Sequence, residues 1–158
     1  YEQREKEKEL LHIGHEFRQA IRSYYESSPG TSKRYPQRLE DLLLDRRFVG
    51  IKRHLRRIYY DPMTGQAEWG VVRSFDGGIA GIHSLSRDKP IKKEGFREVD
   101  AELTGATSYS DWRFVYVQNP SKLTIQTQST YLEIHSMLIA GSSSAITSTT
   151  SFTVAIMK

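Results

Sequence analysis

Histidine is the side chain best suited to proton transfer and metal binding near neutral pH. The sequence contains five, at His12, His15, His54, His83 and His135. His12 and His15 are three residues apart, and with Glu16 they would share one side of a helix. A metal centre needs a further ligand close by, and the sequence places none there. We therefore predict that this pair lies on a helix surface, and that His83 is packed in a strand.

Other catalytic patterns are missing from the sequence. It contains no cysteine, which excludes disulfides, thiolate metal sites and cysteine nucleophiles. It has no G-x-S-x-G, H-E-x-x-H or phosphate-loop motif. Asp76-Gly77-Gly78 lacks the strand and helix that flank a phosphate cradle, so it is interpreted as a turn. The sequence predicts a protein that is not an enzyme and holds no cofactor.

A cluster of basic residues follows position 50. It comprises Lys52, Arg53, Arg56 and Arg57, with His54 among them and Tyr59 and Tyr60 next to them. Cations mixed with aromatic rings are typical of surfaces that bind single-stranded nucleic acid. The favoured interpretation is plainer: a solvated face of a short helix, or charges that meet a neighbouring subunit.

The first 28 residues must position everything else, because they form the strongest periodic pattern in the chain. Apolar residues recur at helical spacing between Leu10 and Tyr25, and Pro29-Gly30 ends the pattern. The predicted core-facing stripe is Leu10, Ile13, Phe17, Ala20, Ile21 and Tyr24. Ahead of it the residues are nearly all charged and offer no side chain to the core: Glu2, Arg4, Glu5, Lys6 and Glu9 are among them.

This helix is expected to be part of a longer one. At about 1.5 Å per residue it would span roughly 40 Å, more than a domain of this size needs. It opens in mid-pattern at Tyr1 without a capping residue. We expect helical sequence to precede Tyr1.

The next segment is predicted to add short helices. Pro36 precedes Leu39, Leu42 and Leu43, which is typical of a two-turn helix packed on a core. Phe48 and Val49 are predicted to turn inward, and residues 51–58 to form another short helix.

A small antiparallel sheet is predicted to follow. Its strands are Trp69–Arg73, Ile79–Leu85 and Trp112–Val117. In the second strand, Ile79, Gly81 and His83 should face one way, and Ala80, Ile82 and Ser84 the other. The fold class is α+β: a long amphipathic helix on a small antiparallel sheet, with one or two short helices between.

Three segments are therefore predicted: a spine helix at 1–28, a globular head at 29–118 and a tail at 119–158. The tail is rich in serine and threonine and nearly uncharged. Strands are predicted at 123–128, 131–140 and 152–157, and an uncharged β-prone tail is expected to pack on the head.

The order of short motifs resembles bacterial type IV pilin-like proteins, most closely the major pseudopilins of type II secretion. The spine helix is followed by Tyr35-Pro36 with its leucine helix, then by Tyr60-Asp61-Pro62, then by residues 81–85, GIHSL. The resemblance covers residues 1–118 and implies a pilin-like fold.

The resemblance implies a structural subunit. Such proteins are held in the bacterial inner membrane by an apolar helical half that precedes the head, which lies in the periplasm. The implied partners are further copies in a helical filament, other pseudopilins, the inner-membrane assembly platform and secreted proteins. In such a filament, the charges expected to contact neighbouring subunits are Glu2, Arg4, Glu5, Lys6 and Glu9. Two alternatives stay open: a membrane-tethered periplasmic binding module, and a minor pilin whose basic patch contacts DNA.

Calcium is the one cofactor that the resemblance raises. Major pseudopilins commonly bind it in the loop that corresponds here to residues 86–94. That loop carries four cations and two carboxylates, whereas calcium prefers several oxygen ligands and net negative charge. The sequence therefore disfavours calcium, with Asp88 and Asp100 as remaining candidates.

Overall fold

A computed structural model describes residues 1–118 of the chain. The predicted strands and packing of the tail lie outside the described residues. Within residues 1–118, no helix is both long enough and apolar enough to cross a bilayer.

One long helix, α1, runs from Glu2 to Glu26. Its buried face carries all six residues of the predicted stripe. The Phe17 ring lies 5.3 Å from Trp69 and 6.2 Å from Tyr59, measured between centroids. The regular spacing of these apolar side chains explains why the segment is helical and which side of it faces the core.

Three strands form an antiparallel sheet in the order β1-β2-β3: β1 at Gly70–Arg73, β2 at Ile79–His83 and β3 at Arg113–Val115. Helix α1 packs against β2 and β3. The α+β class and the helix-on-sheet arrangement are thereby confirmed.

The alternation predicted for β2 is wrong at one point. Val72 pairs with Gly81 but Arg73 pairs with Ile79, so Ala80 is an extra residue on its strand. Because such a bulge breaks the two-residue alternation, Ile79 and Ile82 both join the core.

The predicted short helices are also corrected. A single 3-10 turn at Leu39–Leu42 replaces the two-turn helix. Residues 51–58 are not helical, because the backbone N–H groups of His54 and Leu55 both bond to the carbonyl of Leu42, at 2.8 and 2.9 Å. Val49, predicted to be inside, is fully exposed.

The long connection between β2 and β3 contains regular structure. It contains 3-10 helices at Glu98–Leu103 and Tyr109–Asp111. Leu103, Tyr109 and Trp112 bring this connection into the core. Its contacts with α1 form two of the attachments described next.

Candidate assembly surface

Helix α1 is attached to the head at three levels besides its apolar stripe. At the first level, the carboxylate of Glu7 is buried on the core-facing side. It accepts hydrogen bonds from the Ile91 N–H at 2.6 Å and from the Tyr109 hydroxyl at 2.7 Å. Gln3 donates to the same hydroxyl and to the Lys89 carbonyl. Burial and the bond to Glu7 raise the pKa of Tyr109 to about 12.

The second level is a buried ion pair. Arg18 Nη1 lies 2.9 Å from Asp100 Oδ1, and both side chains are almost fully buried. Arg97 approaches the other carboxylate oxygen at 3.4 Å from the solvent side. The Arg18 guanidinium also lies over the Phe114 ring, 5.6 Å from its centroid. The pair therefore fixes the middle of α1 to the connection before β3.

The third level is at the C-terminal end of α1, and we call it the helix clamp: Asp45, Arg47 and His54. Arg47 donates to the Tyr24 carbonyl at 2.7 Å and to Ser28 Oγ at 2.9 Å. Its guanidinium lies 3.6 Å from the Tyr24 ring centroid. The last turn of α1 contains no basic residue, so Arg47 supplies the cation that a helix C-terminus favours.

Asp45 is the centre of the helix clamp. It accepts hydrogen bonds from Arg47 Nη2 at 2.7 Å and from His54 Nε2 at 2.9 Å. Burial alone would raise the pKa of Asp45, but the bonds from Arg47 and His54 outweigh it and hold that pKa well below its usual range.

Ser23, His54 and Asp45 form a chain of hydrogen bonds made of the residue types of a hydrolase triad. Ser23 Oγ lies 2.7 Å from His54 Nδ1. In the tautomer protonated at Nε2, His54 accepts from Ser23 and donates to Asp45. A triad also needs donors for an oxyanion, whereas the N–H of Ser23 is used inside α1, and the imidazole is fully buried. We interpret the chain of bonds as part of the clamp.

The predicted subunit-contact charges lie at the exposed start of α1. Lys6 pairs with Glu2 at 3.1 Å, and Glu5 pairs with Lys8 at 2.9 Å. Arg4 and Glu9 are exposed. The charges of this end are therefore displayed to solvent on a helix whose inner face is held by the head.

Only part of the predicted basic cluster lies on one exposed surface. Arg53, Arg56 and Arg57 are exposed, and Lys52 is half-buried. The Lys52 ammonium lies 4.3 Å from the Phe48 ring centroid, and Arg57 lies 5.0 Å from that of Tyr59. His54 does not belong to this surface, because it belongs to the clamp.

No group of three or more histidine, aspartate or glutamate side chains within residues 1–118 is arranged to hold a metal ion. His12 and His15 border a groove of about 320 Å³ together with Lys8, Phe96 and Arg97. Asp100, one of the two calcium candidates, forms ion pairs with Arg18 and Arg97 through its two carboxylate oxygens. The other candidate, Asp88, is exposed. These residues do not fit a calcium site.

Sequence reasoning missed Glu7, Arg18 and the helix clamp. One signal was present for Glu7: it lies one helical turn before Leu10 and two turns before Gly14, on the apolar face. Arg18 carries a similar signal, because it lies one turn after Gly14 and one turn before Ile21. The local pattern gives no such signal for Asp45, which lies in an irregular loop.

Comparison of the chain with known protein families, with curated proteins and with solved structures found no match. The function of the chain is therefore inferred from its residues and geometry.

Proposed function

We propose that this chain is the head and lower spine of a non-enzymatic, pilin-like filament subunit of the type II secretion pseudopilin kind. The observation that carries the proposal is the two-sided character of α1. One side is buried against the sheet from Leu10 to Tyr24, while exposed polar residues such as Glu5, His12 and Gln19 follow the other side. A helix of this kind has one surface for its own head and one for neighbours.

The attachments described above suit such a mechanical role. Glu7, Arg18 and Arg47 tie α1 to the head near its start, its middle and its end. A force applied along α1 would therefore be shared by three polar attachments and the apolar stripe. A subunit that supports protein export by filament growth needs this rigidity between spine and head.

Assembly would proceed through α1 by a head-to-tail contact. Such heterologous contacts do not close, so they generate a helical filament. In this proposal the filament is anchored in the bacterial inner membrane by apolar sequence preceding Tyr1, and its heads lie in the periplasm. Other pseudopilins, the assembly platform and secreted proteins would be its partners.

The proposal is best tested on the native protein in its own host. Because these 158 residues contain no cysteine, cysteines introduced into them are the thiols of this segment that a cross-linker can join. Glu5 and Gln19 are exposed on α1 and separated by roughly 21 Å along the axis. A short bis-maleimide therefore cannot bridge Glu5→Cys and Gln19→Cys within one copy. We expect the double variant to give a ladder of multimers, and each single variant nothing larger than a dimer.

A matched pair on the head is the control for this experiment. Glu68→Cys with Phe75→Cys also changes two exposed residues, and it should not give the ladder. A ladder from the control pair, or only monomer from the α1 pair, would contradict the proposal.

The groove beside His12 and His15 supports a second candidate, a membrane-tethered binding module. Its lining combines three cations, Lys8, Lys92 and Arg97, with the apolar Leu11 and Phe96, and its one carboxylate, Asp100, is paired with Arg18. This lining suits an anionic ligand with an apolar part. The two candidates differ in self-association: the binding module predicts a monomeric native protein, and the filament subunit predicts the ladder.

A further inference from the structure

Residues 45–52 form an anchored loop with a narrow base, which we call the tip loop. The Asp45 N–H donates to the Lys52 carbonyl at 2.8 Å and closes the base. Inside the base, the Asp45 carboxylate is buried with Arg47 and His54. The helix clamp therefore holds the tip loop rigidly against the C-terminal end of α1.

The end of the tip loop is apolar and fully in solvent. Val49 is 110% exposed and Ile51 is 82% exposed, with Gly50 between them. Phe48 lies half-buried beneath the Lys52 ammonium. Two neighbouring aliphatic side chains left in water on a loop that is otherwise well anchored indicate a contact surface.

The charged side chains in the tip loop after Asp45, and in the residues that follow it up to Tyr60, are all basic. Residues 46–60 contain six cations and no carboxylate. Arg46, Arg53, Arg56 and Arg57 are exposed. The flanking acid, Asp45, is turned inward and neutralised by Arg47. The complementary partner is therefore anionic at its surface and apolar just beneath it.

We propose that the tip loop docks on the surface of an anionic lipid bilayer. Val49 and Ile51 enter the region below the headgroups, while the exposed Arg46, Arg53 and Arg56 contact lipid phosphates. A nucleic acid would pair with the cations but offers no apolar layer for aliphatic side chains, which do not stack on bases as aromatic rings do. The contact lies at the opposite end of α1 from Tyr1 and does not depend on the proposed filament role.

Vesicle co-sedimentation of the full 158-residue chain tests this docking. We expect binding to vesicles of phosphatidylglycerol and phosphatidylcholine, weakening as salt is raised, and no binding to phosphatidylcholine alone. Val49→Ser/Ile51→Ser should lower the partition coefficient at least about tenfold, because it removes the inserted apolar area. Both residues are exposed, so circular dichroism should show an unchanged fold.

Two controls are available in the same chain. Phe75→Ser removes an equally exposed apolar side chain (106%) from the β1–β2 turn, and it should leave binding unchanged. Arg53→Ala/Arg56→Ala should lower binding roughly tenfold or more, whereas the exposed pair Arg87→Ala/Lys93→Ala should change it much less. The connection that carries this second pair is attached near the start of α1.

Three results would overturn the docking proposal. The first is wild-type binding by Val49→Ser/Ile51→Ser, and the second is equal binding to neutral vesicles. The third is tighter binding to single-stranded DNA than to anionic vesicles, lost in Arg53→Ala/Arg56→Ala alone, which would make the surface a nucleic-acid site. Loss of vesicle binding in both Val49→Ser/Ile51→Ser and Arg53→Ala/Arg56→Ala, with both controls intact, would support lipid docking.

Discussion

Among the individual residues, Asp45 is the buried carboxylate on which the end of α1 depends. Asp45→Asn removes the charge that Arg47 and His54 both contact. Leaving Arg47 without its carboxylate should lower the free energy of unfolding at pH 7 by roughly 3 kcal/mol. Urea denaturation of wild type and variant measures this loss, and Asp88→Asn, at an exposed carboxylate, should change little.

The pH dependence of the same variant follows from the direction of the pKa shift. The pKa of Asp45 is lowered in the folded state, so its stabilisation is complete above the unfolded-state pKa of about 3.9 and is lost as the pH falls below it. The stability gap between wild type and Asp45→Asn should therefore narrow at pH values below about 4. An equal gap at acidic and neutral pH would contradict this account of the clamp.

Gly14 is the residue that allows α1 to approach the sheet closely. A Cβ added there would lie 2.4 Å from Cδ1 of Phe114, whose ring is fully buried. Gly14→Ala gains about 1 kcal/mol of helix propensity, but the overlap in a packed core costs roughly 1–3 kcal/mol. We expect a lower melting temperature. Gly50→Ala, where the added Cβ meets no atom within 4 Å, should not lower it.

At the level of elements, the Arg18–Asp100 pair joins the middle of α1 to the connection before β3. Arg18→Met leaves the buried Asp100 with the exposed Arg97 as its remaining ion-pair partner among the described residues. The variant should lose roughly 3 kcal/mol of stability, and Asp100→Leu in the same chain should restore part of it. A double-mutant cycle in urea measures the coupling.

The matching control is an exposed pair on the same helix. Lys8→Met breaks the contact with Glu5. It should lower the free energy of unfolding by less than about 1 kcal/mol, because water screens such pairs. If Arg18→Met and Lys8→Met lowered the free energy of unfolding equally, burial would not determine how strongly the Arg18–Asp100 pair stabilises the fold.

The elements with strong periodicity could be predicted from the sequence, and the irregular ones could not. Helix α1 and the three strands follow from apolar spacing of 3.6 or 2 residues. Residues 51–58 have helical spacing too, but the N–H groups of His54 and Leu55 donate to the Leu42 carbonyl instead of to carbonyls within a helix. That contact depends on where the 3-10 turn at Leu39–Leu42 lies, which local pattern does not determine.

The same reasoning explains which residues of the candidate surface were missed. Pattern reading assigns charged residues to the solvent side, so Glu7, Arg18 and Asp45 were not expected in the interior. Each is buried because a partner compensates its charge or satisfies its hydrogen bonds: Tyr109 for Glu7, Asp100 for Arg18 and Arg47 for Asp45. Val49 was placed inside because it is apolar, although its anchored loop directs it to solvent.

For the whole molecule, the proposed filament role depends on α1 continuing toward its N-terminus. The described helix of 25 residues is about 37 Å long, and its first turns carry exposed charge, while the head holds it from Gln3 to Tyr24. In the proposed filament, a helix held this firmly along one side would transmit load from the membrane anchor to the head. The tip loop, at the other end, is left free for a separate contact.

The most direct test of the central proposal is intact mass and N-terminal sequencing of the native protein extracted from its membranes. A pilin-like subunit predicts about 20 mainly apolar residues upstream of Tyr1, the length that crosses a bilayer, with a methylated N-terminal amine. A native protein that begins near Tyr1 and extracts as a soluble monomer would contradict the filament proposal.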